Sequence, residues 1–212
     1  MNTRSFQVLA LAWAVFFAFM APPAYGKTAG QVRSAKAVAL QETLRDLWVD
    51  HIFWVRSVVL STKYGDAQAA KVAEANVVQN AKDIAGSISP FYGKGASDKL
   101  FELLAGHYGA VKNYMTAAYA KDNAGMQAAR DELISNADKI AAFLSSANPN
   151  WPKPTLEDLL RTHGAHHISQ IDYIAQNDFA SEAVNWSTMK KHMYTIADAL
   201  AAGIVKQFPK KF

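Results

Sequence analysis

Neutral imidazoles brought together from several helices can bind zinc, copper, nickel or iron. Three histidines of this chain are spaced as if to converge. His51, His107 and His163 stand 56 residues apart, and each ends a similar octet: L-R-D-L-W-V-D-H, L-F-E-L-L-A-G-H and L-E-D-L-L-R-T-H. A second column, 29 residues further on, holds Asn80, Asn136 and His192. Turn residues Asp66, Asp122 and Asp178 lie midway. An antiparallel hairpin folded at each turn brings the two polar columns to one height, because both helices rise by about 1.5 Å per residue.

Polar groups on an apolar stripe cost roughly 1–3 kcal/mol each if buried without partners. Three in the same register call for an explanation, and two arrangements supply one. In the first, each hairpin satisfies itself: His51 with Asn80, His107 with Asn136, His163 with His192. In the second, the hairpins surround a common axis. His51, His107, His163 and His192 are then candidate ligands of one transition-metal ion, and Asn80 and Asn136 orient ligands or a bound water. A small polar ligand is the other occupant such a layer suits. His167 stands one helical turn after His163 on the same face, within H-G-A-H-H. It is a further ligand-binding or supporting candidate, since the i, i+4 spacing can chelate. Asp50, Asp83, Asp138 and Asp198 flank the layer as ring partners or surface charges.

Other chemistry has no foothold. The sequence has no Gly-rich phosphate loop, no G-x-S-x-G elbow, no E-x-x-H pair and no H-E-x-x-H helix. It has no cysteine, which removes thiolate sites and disulfides. The net charge is +4, and basic residues are dispersed rather than gathered into a nucleic-acid-binding stripe.

The elements that must position these residues read as helices. Leu40, Leu44, Leu47, Trp48, His51, Val55, Val58 and Val59 follow steps of three and four. Gly65 suits the position after a helix and Asp66 an N-cap. Residues 67–87 form the second helix, stopped by Pro90 and Gly93. The pattern returns twice, giving six helices in three hairpins over residues 36–89, 96–147 and 154–205. Pro149, Pro152 and Pro154 mark a rigid connector, Thr155 caps the fifth helix, and Gly203 weakens the end of the sixth. The predicted fold is an all-α bundle of three 56-residue hairpin repeats in one domain, residues 27–212. Trp48, Phe53, Trp54 and Trp151 are core or pocket residues.

Before that domain, Arg4, the apolar run Phe6–Met20 and the small residues Ala24 and Gly26 have the layout of a signal peptide over residues 1–26. The expectation is a periplasmic or secreted protein with no membrane span after cleavage.

Three stretches resemble a family of bacterial secreted helical proteins: L-W-V-D-H-I-F-W-V-R from Leu47, N-A-D-K-I-A-A-F-L-S-S-A-N-P-N-W from Asn136, and the ending G-I-V-K-Q-F-P-K-K-F from Gly203. The resemblance implies export and an all-helical fold, and it implies little about activity. Some members carry transferase or kinase names, but no nucleotide-sugar or ATP motif stands in this chain. Asp50 occupies a place where the family has Glu. The reading is therefore an exported, soluble helical binding protein with a His/Asn layer and a transition-metal site. The alternatives are a structural or interaction protein whose core histidines only bond asparagines, and a metal-dependent enzyme, for which the sequence offers no base.

Overall fold

The computed structural model describes residues 34–212, and the signal-peptide expectation falls outside them. The described residues form an all-α bundle. Its elements are α1 (Ala35–Lys63), α2 (Ala67–Ser87), the single turn α3 (Ser89–Tyr92), α4 (Lys94–Ala120), α5 (Asn123–Ala147), α6 (Lys153–Gln176) and α7 (Phe179–Gln207), with a short 3-10 turn at Pro209–Lys211.

Each hairpin turn is built the same way. Asp66, Asp122 and Asp178 accept the backbone N–H of Ala69, Gly125 and Ser181 at 2.9, 3.0 and 3.0 Å. Their own N–H groups reach back to the carbonyls of Ser61, Ala117 and Tyr173, each at 2.9 Å. The residue just before each Asp is left-handed: Gly65 at φ 75°, Lys121 at 56° and Asn177 at 59°. This is the Schellman closure followed at once by an N-cap.

The helices α1, α4 and α6 face one another at the centre. Each outer helix, α2, α5 and α7, packs against its own partner and against the first helix of the next hairpin, so that α7 closes the ring on α1. The three inner helices run the same way. Leu44, Leu100 and Leu156 share one apolar cluster, whereas Val55, Val111 and Ile168 share another further along. Between the clusters, at the level of residue 51 in α1, the core is polar.

Local boundaries differ from the sequence reading in three places. Pro90 lies inside the one-turn α3 rather than simply stopping α2, because proline is at home in a first helical turn. The helix α6 starts at Lys153, with Pro152 in the cap position and Pro154 in its first turn; Thr155 is already helical and caps nothing. The helix α7 continues through Gly203 to Gln207. Gly203 is there for space, since a Cβ would lie 1.9 Å from the Trp151 indole nitrogen. That nitrogen donates to the carbonyl of Ala199 at 3.2 Å.

The proline-rich connector and the C-terminus meet at this end. Asn148 donates to the Tyr92 hydroxyl at 2.8 Å, the hydroxyl donates to Gln207 at 2.7 Å, and Gln207 donates to the carbonyl of Ala147 at 3.1 Å. Phe91 stacks on Phe212. These residues tie the proline-rich connector to the C-terminus, and they stand apart from the histidines.

Candidate metal centre

Helical periodicity sends His51 from α1, His107 from α4, and both His163 and His167 from α6 into the polar layer. All four are buried, the most exposed at 5 %. One ring nitrogen from each can be chosen so that all four lie within 4.8 Å of one another. Ring centroids are 4.5 Å apart for His163 and His167, 5.3 Å for His107 and His163, and 5.4 Å from His51 to each of the α6 rings. The Nε2 atoms of His163 and His167 approach to 3.2 Å. Trp48 presents its ring edgewise to His51 and His163, with centroids 6.2 Å away in each case, and so forms one wall.

Among the described residues no charge compensates this layer, and burial keeps the rings neutral. Desolvation, reinforced by repulsion from His107, lowers the pKa of His51 to about 3. Desolvation lowers His107 to about 4. His163 and His167 are held well below the ordinary histidine value by desolvation first, then by repulsion among the rings. Several nitrogens lack partners: both of His107, and Nδ1 of His163 and of His167.

Four neutral imidazoles, three of them with unpartnered nitrogens, are the donor set that a borderline metal ion takes. Zinc–nitrogen bonds of about 2.0–2.1 Å put tetrahedral donors roughly 3.3 Å apart. The His163–His167 pair already has that separation. The widest pair would have to close by at most about 1.5 Å, a distance within reach of small ring rotations.

The second polar column does something else. Asn80 donates to the carbonyl of Leu47 at 2.9 Å, and Asn136 donates to the carbonyl of Leu103 at 3.0 Å. His192 donates through Nε2 to the carbonyl of Leu159 at 2.8 Å. Each clamps an outer helix to the backbone of its inner partner, one turn before the histidine. The expectation that His192 is a metal ligand is thus corrected: its ring is turned to a carbonyl, is half-buried, and faces His166. His167, expected to support or bind a ligand, takes that place in the cluster. Asn80 and Asn136 orient backbone rather than ring nitrogens. The Asn136 amide lies close enough to His107 to favour its charged form slightly, but no hydrogen bond of ordinary geometry joins them. The self-contained His–Asn pairs are therefore not formed.

The flanking carboxylates also lie elsewhere. Asp138 pairs with Arg161, Asp198 with Arg45, and Asp83 accepts from Gln79. Asp50 is exposed. The buried carboxylate is one the sequence reading passed over. Glu182, 2 % exposed, takes both nitrogens of the Arg56 fork at 2.7 and 2.8 Å and the Gln170 amide at 3.1 Å. Arg56, ahead of desolvation, holds its pKa below the usual glutamate value. Its signal in the sequence is positional. Met126 and Ala70 stand 56 and 112 residues earlier, so a carboxylate here breaks an apolar column.

No protein-family model matches the chain, and searches of curated proteins and of solved structures find no match either. Among the described residues no helix is long and apolar enough to cross a membrane.

Proposed function

We propose that this is a metal-binding protein that holds one transition-metal ion on His51, His107, His163 and His167. The observation that carries the reading is the meeting of four buried, neutral imidazoles inside 4.8 Å, three of which keep ring nitrogens without partners. A layer that served packing alone would leave those nitrogens desolvated without return, at roughly 1–3 kcal/mol each. Coordination turns one nitrogen of each ring into a ligand.

The arrangement favours binding over catalysis. Four protein ligands fill a tetrahedral ion, whereas catalytic zinc keeps an open position for water or substrate. Among the described residues no carboxylate joins the cluster. Zinc, copper, nickel and iron all accept imidazole, and geometry rather than ligand type would choose among them. The N-terminal pattern of Arg4, the apolar run and Ala24/Gly26 supports a periplasmic or secreted location for this binding.

Titration with cobalt(II), followed by its visible absorption, tests the reading. One ion per chain with a tetrahedral spectrum is expected, and His107→Ala should abolish it while circular dichroism stays helical. Absence of stoichiometric uptake by the wild type, or equal uptake by His107→Ala, would overturn it.

A further inference from the structure

Outside the cluster, His166 and His192 form a second histidine pair with centroids 5.6 Å apart. Their hydrogen bonds fix their tautomers. Asn185 donates its amide to the carbonyl of His166 at 3.0 Å, so its oxygen accepts from His166 Nδ1, also at 3.0 Å. The carbonyl of Leu159 can only accept, so the proton of His192 sits on Nε2. A neutral imidazole carries one donor and one acceptor. The lone pairs are therefore on His166 Nε2 and His192 Nδ1.

Three further observations bear on this pair. It is open to solvent: both rings are half-buried, and His166 lines a surface groove with Tyr173, Asn185 and Thr188. It adjoins the cluster, because Leu159, which His192 clamps, lies one helical turn before His163. It is also more than the scaffold requires. Asn80 and Asn136 make the equivalent clamp without an imidazole, and the positions equivalent to His166 are Trp54 and Ala110.

We propose that His166 and His192 hold a second divalent transition-metal ion at the surface, and that the buried cluster is loaded from it. The proposal rests on the reading of the cluster as a metal centre. An aqueous ion must shed its water to enter a core site, and two imidazoles at the rim replace part of that shell first. Two nitrogens plus water bind more weakly than four nitrogens, so transfer inward runs downhill. The exposed carboxylate of Asp158 acts on His192 electrostatically and adds attraction for a cation.

The test uses copper(II) and stopped-flow quenching of tryptophan fluorescence, for which Trp48 beside the cluster is the inner reporter. His192→Asn is the decisive variant, since asparagine already makes this clamp in the other two hairpins. The wild type should bind a second, weaker ion. His192→Asn should lose it, with the affinity of that ion falling by about tenfold or more, and should load the buried ion correspondingly slowly to the same end point. His166→Ala should behave likewise. Loading at the wild-type rate in both variants would overturn the proposal and leave the buried site standing. No quenching and no uptake in any form would instead remove the buried site, and the loading route with it.

Discussion

The first two hairpins and the third share a skeleton and differ in what hangs on it. All three use the same capped turn, the same clamp at residues 80, 136 and 192, and one central histidine. Where the first two have Val55 and Val111, the third has His167. Where they have Trp54 and Ala110, it has His166. Where they have Ala70 and Met126, it has the buried Glu182. The shared positions are those that any such hairpin needs in order to fold and pack. The departures are groups able to titrate or to ligate a metal, gathered on α6 and α7. The comparison teaches that scaffold and chemistry are separable here, and that the chemistry is concentrated in one hairpin.

The largest effect expected is on acid stability of the metal-free protein, to which the first two hairpins contribute one buried histidine each and the third contributes two. The unfolded chain takes up protons on histidine near pH 6.5, whereas the folded cluster resists them down to about 3 for His51 and about 4 for His107. Unfolding therefore binds protons, and stability present above pH 6.5 is lost as pH falls below it. Each histidine removes about 1.4 kcal/mol per pH unit until its folded value is reached. Denaturant titrations at pH 7.5, 6 and 5 should show a steep decline. A flat profile would mean that the layer is hydrated and the rings are not truly neutral.

Making the third hairpin resemble the others gives the next largest effect. His167→Val should weaken metal binding on the order of 100-fold or more, since it deletes one of four ligands. The same change should leave the stability of the metal-free form within about 1 kcal/mol, because the unpartnered Nδ1 of His167 disappears while Nε2 of His163 loses its partner. Calorimetric titration and thermal melts read the two halves separately. Unchanged affinity would show that the ion, if bound, uses three histidines and water.

A smaller effect separates the second hairpin from its neighbours. Its turn places Lys121 in the left-handed region where the first hairpin has Gly65 and the third Asn177. Lys121→Gly should stabilise the fold by about 0.5–1 kcal/mol, as measured by chemical denaturation, because only glycine adopts that conformation without strain.

Much of this was legible in the sequence. The 56-residue spacing located the turns, and periodicity put His51, His107 and His163 on inward faces. His192 was misplaced for a physical reason. Sequence distance from the turn fixes height along a helix, but not whether a side chain reaches across to a ring or sideways to a carbonyl. The carbonyls of Leu47, Leu103 and Leu159 are invisible to any pattern of side chains, yet they take all three clamps. His167 was visible as one turn from His163, but its entry into the cluster depends on how α6 is rotated. Thr155 looked like a cap because its chemistry suits one, whereas Pro152 and Pro154 had already set the start of α6 two residues earlier.

The polar layer also settles a degeneracy. Leucines, valines and methionines recur every turn along α4, as at Leu100, Leu104, Val111 and Met115. Sliding α4 past its neighbours by one turn, about 5.4 Å, would exchange one apolar residue for another at little cost. The histidines forbid that slip. It would set Leu103 or Val111 against three imidazoles and strand His107 among aliphatic side chains. Four polar rings between two oily halves thus act as an alignment mark, so that three long inner helices of repetitive composition have one vertical register rather than several.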